Sequence, residues 1–135
     1  MLRSVLVFAA FVATASAQTY TGRLAPGDET LGSGEYVDEY VVDASVGQTV
    51  RAVVTSDAFD PYVIVKSASG EQEDNDDCTE GDLTRSCAAF VADRDGLIRV
   101  LVTSFEPGET GDYRVVITTE GAGRGQSAGQ GLGLE

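Results

Sequence analysis

The stretch FDPYVIVKSASGEQEDNDDC, residues Phe59 to Cys78, contains the main fold signal of this sequence. Pro61 to Lys66 includes four consecutive apolar residues, as is typical of a strand that is buried on both faces or covered by a neighbouring loop. A proline is tolerated at the first position of a strand. A turn at Ser67 to Gly70 follows, and then a loop crowded with acidic side chains. We therefore expect one central, buried strand.

The rest of the chain consists of short apolar stretches separated by turn residues. Alternation with a period of two predicts strands at 19–24, 36–43, 49–55, 88–92, 98–103 and 113–118. Residues 29–35 are polar and contain glycine, which predicts a loop. Asp95-Gly96 between two apolar runs predicts a hairpin turn. Because no segment has a helical period, the pattern predicts an all-β protein, with antiparallel sheets of seven to eight strands packed as a sandwich.

The first 17 residues have the pattern of a secretory signal peptide. Arg3 precedes an apolar run, Val5 to Val12, and Ala15-Ser16-Ala17 forms an A-x-A cleavage site. A membrane anchor is the alternative, but about 20 apolar residues are needed to span a bilayer and this run is shorter. We expect cleavage before Gln18 and a secreted protein, extracellular or periplasmic, with no insertion into a membrane.

Composition divides the remaining chain into two parts. Residues 18–120 can form one small domain with a single core. Residues 121–135 contain six glycines in fifteen positions and few apolar groups, which predicts a flexible tail.

The chain is strongly acidic, with a formal charge of −13 from 22 acidic and nine basic residues. This balance argues against a nucleic-acid partner and against anionic membranes, since both require neutralisation of phosphates. Lys66 is the only lysine. Such a surface is expected of a protein that works in high salt, where self-repulsion is screened, and also of a secreted protein selected for solubility.

Cys78 and Cys87 are the only cysteines. In an oxidising compartment such a pair predicts a structural disulfide. A redox pair or a metal site is less well supported, because the spacing is not C-x-x-C and the sequence contains no histidine.

The acidic segment Glu71 to Asp77 is a candidate calcium site. Calcium binds six to eight oxygen ligands, including carboxylates, amides and backbone carbonyls, and this segment supplies all three. The candidate ligands are Asp74, Asn75, Asp76, Asp77 and Asp60. The alternative is a solvated or turn-forming loop, since Cys78 stands where an EF-hand would have a ligand. No cofactor is required by this interpretation.

The sequence contains few features that would indicate an enzyme. The absence of histidine excludes a Ser-His-Asp or Cys-His arrangement. The pairs Asp93/Asp95 and Asp74/Asp76 are conceivable acid–base pairs, but aspartates of this kind are more often turn residues. We therefore expect a protein that is not an enzyme.

Five aromatic residues are candidates for a carbohydrate-stacking face: Tyr20, Tyr36, Tyr40, Tyr62 and Phe105. Alternation places Tyr40 and Tyr62 in or near the core, which leaves Tyr20, Tyr36 and Phe105 as the better surface candidates.

Several segments, in their order and spacing, resemble the bacterial pre-peptidase C-terminal domain family. They are Tyr40 to Val50 (YVVDASVGQTV), Phe59 to Gly70 (FDPYVIVKSASG), Asn75 to Asp77 (NDD), Gly96 to Ser104 (GLIRVLVTS) and Gly111 to Val115 (GDYRV). The resemblance extends over residues 19–119.

The resemblance implies a jelly-roll-like β-sandwich of the type found beside secreted peptidases, some relatives of which bind calcium or help to engage substrate. We therefore predict a secreted, non-catalytic accessory module that binds an extracellular protein or a polymeric substrate such as a polysaccharide. The alternative is a calcium- or salt-stabilised structural component of the cell envelope or surface, and an unrecognised hydrolase is the third hypothesis.

Overall fold

The computed structural model describes residues 14–67, 69–75, 78–79 and 81–121, and for residues 14 and 73–75 the backbone alone. These residues form nine strands and no helix. The strands are β1 (Thr14–Leu24), β2 (Glu29–Thr30), β3 (Tyr36–Ala44), β4 (Thr49–Thr55), β5 (Pro61–Lys66), β6 (Gln72–Asn75), β7 (Arg85–Val91), β8 (Gly96–Ser104) and β9 (Gly111–Gly121). Within the described ranges, no helix is long and apolar enough to cross a membrane.

The strands pair in two antiparallel sheets that pack face to face. The four-stranded sheet has the order β1-β9-β4-β7, and the five-stranded sheet has the order β2-β3-β8-β5-β6. The β2–β3 and β5–β6 connections stay within the five-stranded sheet, and every other connection passes from one sheet to the other. Without β2, the remaining strands have the order of an eight-stranded jelly roll. The predicted all-β sandwich is therefore confirmed.

The core lies between the sheets and is built from alternate residues of each strand. Val50, Ala52 and Val54 of β4 face Val63 and Val65 of β5 across the interior. Each of these five side chains is fully buried. Ile64, on the opposite face of β5, is also buried at 8% exposure. On that face Ile64 is buried as predicted, whereas Tyr62 and Lys66 are only partly buried.

The predicted hairpin at Asp95-Gly96 is wrong. β7 pairs with β4, whereas β8 pairs with β3 and β5, so residues 92–95 cross between the sheets. Asp95 accepts a hydrogen bond from the Val46 backbone N–H (2.8 Å), and Gly47 N–H donates to the Ala92 carbonyl (2.8 Å). The Asp-Gly preference for a turn is local, whereas the apolar faces of β7 and β8 determine which sheet each strand joins.

Two predicted loops contain short strands. Gln72–Asn75, within the expected acidic loop, forms β6 at the edge of the five-stranded sheet, with Asn75 opposite Val63 and Gln72 opposite Lys66. Glu29–Thr30 forms β2. Both are edge strands, where charged side chains are common because they oppose further strand pairing. Hydrophobic alternation, the signal used for prediction, is therefore weak in them.

The predicted disulfide is confirmed. Cys78 and Cys87 are bonded, with their Cα atoms 4.9 Å apart. Cys87 lies in β7 opposite Val53, so the bond ties the segment after β6 to the four-stranded sheet.

The first and last strands pair at one edge of the four-stranded sheet. β1 pairs with β9 along its whole length, from Thr14 opposite Gly121 to Leu24 opposite Gly111. Cleavage before Gln18 stays a prediction, and it would leave Gln18 to Leu24 of this strand. The predicted tail, apart from Gly121, lies outside the described residues.

Close contact between β1 and β9 depends on Gly22. This glycine lies opposite Tyr113, and a Cβ atom added to it would lie 2.3 Å from the Tyr113 hydroxyl and 2.5 Å from ring atom Cζ. Tyr113 is only 4% exposed and belongs to the core. The absence of a side chain at Gly22 therefore allows the tyrosine ring to lie across β1.

We predict that Gly22→Ala destabilises the fold by about 1–3 kcal/mol, since overpacking forces a buried ring out of place. Thermal unfolding should show a fall of several degrees in the midpoint. Gly32→Ala is the matched control, because a Cβ atom there meets nothing within 4 Å. Equal midpoints for Gly22→Ala and the wild type would contradict the packing role of Gly22.

Candidate functional site

Five connections converge at one end of the sandwich. They join β1 to β2, β2 to β3, β4 to β5, β6 to β7 and β8 to β9. We call their described residues, 25–28, 31–35, 56–60, 78–79, 81–84 and 105–110, the loop end. Loops carried on a rigid sheet scaffold are where binding residues of β proteins are commonly found.

The loop end has a single sign of charge. Its seven ionisable side chains are all acidic: Asp28, Glu35, Asp57, Asp60, Asp82, Glu106 and Glu109. The described connections at the opposite end, residues 45–48, 67–71 except 68, and 92–95, contain three acidic residues and Arg94. The negative field is thus concentrated at one end of the molecule.

Two large apolar side chains project from the loop end. Phe105 is 51% exposed and Leu83 is 57% exposed. The Phe105 ring lies 6.5 Å from the ring of Tyr62, measured between centroids. An apolar anchor surrounded by polar groups is the usual anatomy of a protein-binding surface.

Ser56 fixes the connection between β4 and β5. Its hydroxyl accepts hydrogen bonds from the backbone N–H groups of Ala58 (3.0 Å) and Phe59 (3.3 Å). The same hydroxyl donates to the Asp112 carbonyl on β9 (2.8 Å). Phe59 is then held in the core, 7% exposed, with its ring edge-on to Tyr113.

Further contacts hold neighbouring loops to one another. The Phe105 N–H donates to the Asp60 carbonyl (2.9 Å), and the Ser56 N–H donates to the Thr84 carbonyl (3.0 Å). Gly111 lies so close to Ala58 that an added Cβ atom would be 2.2 Å from the alanine Cβ. These contacts preorganise the loop end, which reduces the entropy lost when a partner binds.

Asp82 is an ionised group within this surface. Hydrogen bonds from the Thr84 hydroxyl (2.7 Å) and the Thr84 N–H (3.0 Å) lower the pKa of the Asp82 carboxyl. The carboxylate therefore stays charged over the physiological pH range and also fixes the turn that presents Leu83.

Two cavities flank the loop end. One, of about 690 Å³, opens beside the four-stranded sheet and is lined by Thr21, Gly22, Arg23, Thr55, Ser56, Asp57, Asp112, Tyr113 and Arg114. The other, of about 290 Å³, lies over the five-stranded sheet and is lined by Leu31, Ser33, Glu35, Tyr62, Ile64, Thr103, Ser104 and Phe105. Both can accept side chains of a partner.

A hydrogen-bond network lies behind the loop end, between the sheets. The Tyr113 hydroxyl donates to Asp38 Oδ2 (2.6 Å) and lies 2.6 Å from the Tyr40 hydroxyl. Burial raises the pKa of Asp38, the hydrogen bond from Tyr113 lowers it, and the nearby Asp28 carboxylate raises it, with a net rise. Burial and the hydrogen bonds with Asp38 and Tyr40 raise the pKa of Tyr113.

We predict that the Asp38 carboxyl makes the free energy of unfolding fall as pH rises above 3.8, its ordinary pKa. The folded state holds the proton of the Asp38 carboxyl more tightly than the unfolded chain does. The protonated carboxyl therefore stabilises the fold at low pH, and this stabilisation is lost as pH rises through the raised pKa. Chemical denaturation measures the free energy of unfolding of Asp38→Asn and of the wild type from about pH 4 to about pH 7. The value for the variant should rise relative to that for the wild type as pH increases. A difference that is constant, or moves the other way, would contradict this assignment.

The structure places part of the candidate calcium site. Asp60 precedes β5, and the β5–β6 register brings the end of β6, Asp74 and Asn75, to the same end of the sandwich. The side chains of Asp74 and Asn75 are not described, and Asp76 and Asp77 lie outside the described residues. Among the described residues there is no cluster of three metal-ligating side chains. Calcium binding therefore stays a prediction.

Calcium can be tested by thermal unfolding in calcium, chelator or sodium chloride. Calcium at 100 times its dissociation constant should stabilise the fold by about 2.7 kcal/mol. We expect Asp76→Ala to abolish this shift and Asp93→Ala, at the opposite end, to retain it. An equal rise in sodium chloride would instead indicate general screening of an acidic surface.

The other predicted groups are dispersed. Asp93 accepts a hydrogen bond from the Ser69 hydroxyl (3.2 Å), so Asp93 and Asp95 both hold turns. Tyr20 stacks on Tyr40 with ring centroids 4.8 Å apart, and both pack against the core, as does Tyr36. The five aromatic residues therefore form no common stacking face.

Sequence reasoning missed the loop end as a whole. It identified the acidic segment after β5, but not that four other connections lie beside it. The signal that was available is the absence of Lys and Arg from all five connections. Their common location depends on the strand order.

The structure is similar to known periplasmic proteins. PliG from Salmonella Typhimurium, a periplasmic inhibitor of g-type lysozyme, matches with a TM-score of 0.54 and 14% identity over 76% of this chain and 86% of that chain. PliG from Aeromonas hydrophila matches with a TM-score of 0.50 and 12% identity over 82% of this chain and 90% of that chain. These matches show a shared fold.

The pre-peptidase C-terminal domain of a Bacillus anthracis collagenase gives a TM-score of 0.47 at 19% identity, over 73% of this chain and 87% of that chain. No protein-family model and no curated protein matches the sequence. Membership of the pre-peptidase family therefore stays a prediction.

Proposed function

We propose that this chain is a secreted or periplasmic, non-catalytic protein that binds another protein through the loop end. The observation that carries the proposal is the combination of seven acidic and no basic described side chains with exposed Phe105 and Leu83. A partner that fits this surface is cationic and offers apolar pockets for the two anchors.

Electrostatics and packing have separate roles in this binding. The acidic side chains attract a cationic partner and accelerate association, an effect that salt screens. Phe105 and Leu83 supply apolar area that is removed from water on binding. The fixed loops limit the entropy lost on association.

The shared fold with PliG suggests a concrete first partner. Both PliG structures are of periplasmic inhibitors of g-type lysozyme. A protein of this fold can thus act by binding an enzyme outside the cytoplasm, without chemistry of its own. We infer the same class of activity here, with g-type lysozyme as the first protein to test.

We predict that the purified protein binds at least one member of a panel made up of g-type lysozyme and several cationic secreted proteins. Phe105→Ala/Leu83→Ala should cost about 2 kcal/mol of binding free energy, or roughly thirtyfold in Kd. Titration calorimetry measures this loss, and raising the sodium chloride concentration should weaken wild-type binding.

Val41→Ala/Leu97→Ala is the matched control. Val41 and Leu97 are exposed to a similar degree, 52% and 56%, but lie outside the loop end. The proposal requires that this control bind as the wild type does. Equal losses in both double variants, or no binding by any member of the panel, would overturn it.

A further inference from the structure

The basic residues of this acidic chain are concentrated on one face. Of the nine basic residues, seven are described, and four of them lie at outward positions of the four-stranded sheet. These are Arg23, Arg51, Arg85 and Arg114. They alternate with inward core residues such as Leu24, Ala52 and Val115, so their side chains point away from the interior.

We call this surface the arginine face, the outward side of β1, β9, β4 and β7. Strand register places Thr21, Arg114, Thr55 and Arg85 in one row across it. Arg85 and Arg114 are two strands apart, or about 10 Å, and Arg51 lies four residues along β4 from that row, about 13 Å away. The three arginines thus occupy the corners of a triangle on the outward side of the sheet.

Three of the four arginines have no ion-pair partner among the described residues. Arg23 pairs with Asp112, N to O distance 2.9 Å, whereas the other described ion pair joins Arg99 and Glu39 on the opposite sheet. Arg85 contributes to the lowered pKa of Asp82 without forming an ion pair with it. Arg51, Arg85 and Arg114 are exposed and available to an anionic ligand.

The groups between the arginines are small or hydroxylated. They are Thr19, Thr21, Thr49, Thr55, Ala89 and Thr118, with Val53, Val116 and the disulfide-bonded Cys87 partly buried among them. Glu120 lies opposite Thr49 at the far end of the face. A large exposed apolar group, Val91 at 59% exposure, lies on the edge strand β7. The centre of the face therefore lacks the apolar anchor expected of a protein interface but offers hydroxyl and guanidinium donors.

We propose that the arginine face binds a linear polysaccharide whose sugar units bear carboxylate or sulfate groups. Guanidinium groups bind such oxyanions in a bidentate manner, and threonine hydroxyls bond to sugar hydroxyls. The four arginines outnumber Asp112 and Glu120, the two acidic residues at outward positions of the same strands, so charge complementarity favours a polyanion on this face. A long, rigid nucleic-acid duplex would extend over the adjacent acidic loop end, where Asp57 and Glu106 repel phosphates, whereas a flexible glycan can stay within the sheet.

The experiment uses three soluble polymers as probes: polygalacturonate for carboxylates, dextran sulfate for sulfates, and double-stranded DNA for phosphates. Binding is measured by biolayer interferometry at several sodium chloride concentrations. We expect binding to one of the two polysaccharides, with log affinity falling linearly with log salt. Arg51→Gln/Arg85→Gln/Arg114→Gln should lose about tenfold or more in affinity and reduce the salt slope by about two.

The control variant Lys66→Gln/Arg94→Gln/Arg99→Gln removes the same charge from residues outside the arginine face, and it should bind like the wild type. Circular dichroism verifies that both variants are folded. Equal losses in the two triple variants would show a general charge effect and overturn the proposal. So would DNA binding tighter than polysaccharide binding, or no binding of either polysaccharide. Loss of protein binding at the loop end would leave this test unaffected, since the two surfaces share no tested residue.

Discussion

The packing of Tyr113 between the two sheets is the constraint on which the rest of the structure depends. Its ring lies across Gly22 on β1 and edge-on to Phe59, while its hydroxyl reaches Asp38 and Tyr40 on β3. A buried phenol must keep hydrogen-bond partners, because leaving it unsatisfied costs about 1–3 kcal/mol. One side chain therefore sets the relative position of both sheets and of the connection between β4 and β5.

Because the strand ends are fixed in this way, the connections at one end can carry charge without losing their arrangement. Acidic groups brought together repel one another, and this cost reduces stability. Ser56 and the Cys78–Cys87 disulfide offset it by tying two of the connections to the four-stranded sheet. A concentrated negative field on rigid loops is a suitable starting point for recognising a cationic protein.

A net charge of −13 conceals an uneven distribution. The loop end has seven acidic and no basic described side chains, whereas Arg51, Arg85 and Arg114 share the outward face of one sheet. Net charge argues against polyanionic partners in general, but the local field at a surface is determined within about a Debye length, roughly 8 Å at physiological salt. The molecule thus offers two surfaces of opposite sign, suited to different partners.

The sequence by itself determined the seven longer strands, the disulfide and the overall acidity. Period-two alternation is a local property of the pleated backbone, which is why β4, β8 and β9 could be predicted. Only the tertiary structure decided that residues 92–95 cross between sheets, that Gln72–Asn75 forms an edge strand, and that Asp38 faces inward toward Tyr113. Strand order is set by contacts between residues far apart in the chain, so it alone brings five acidic connections to one end and three arginines to one face.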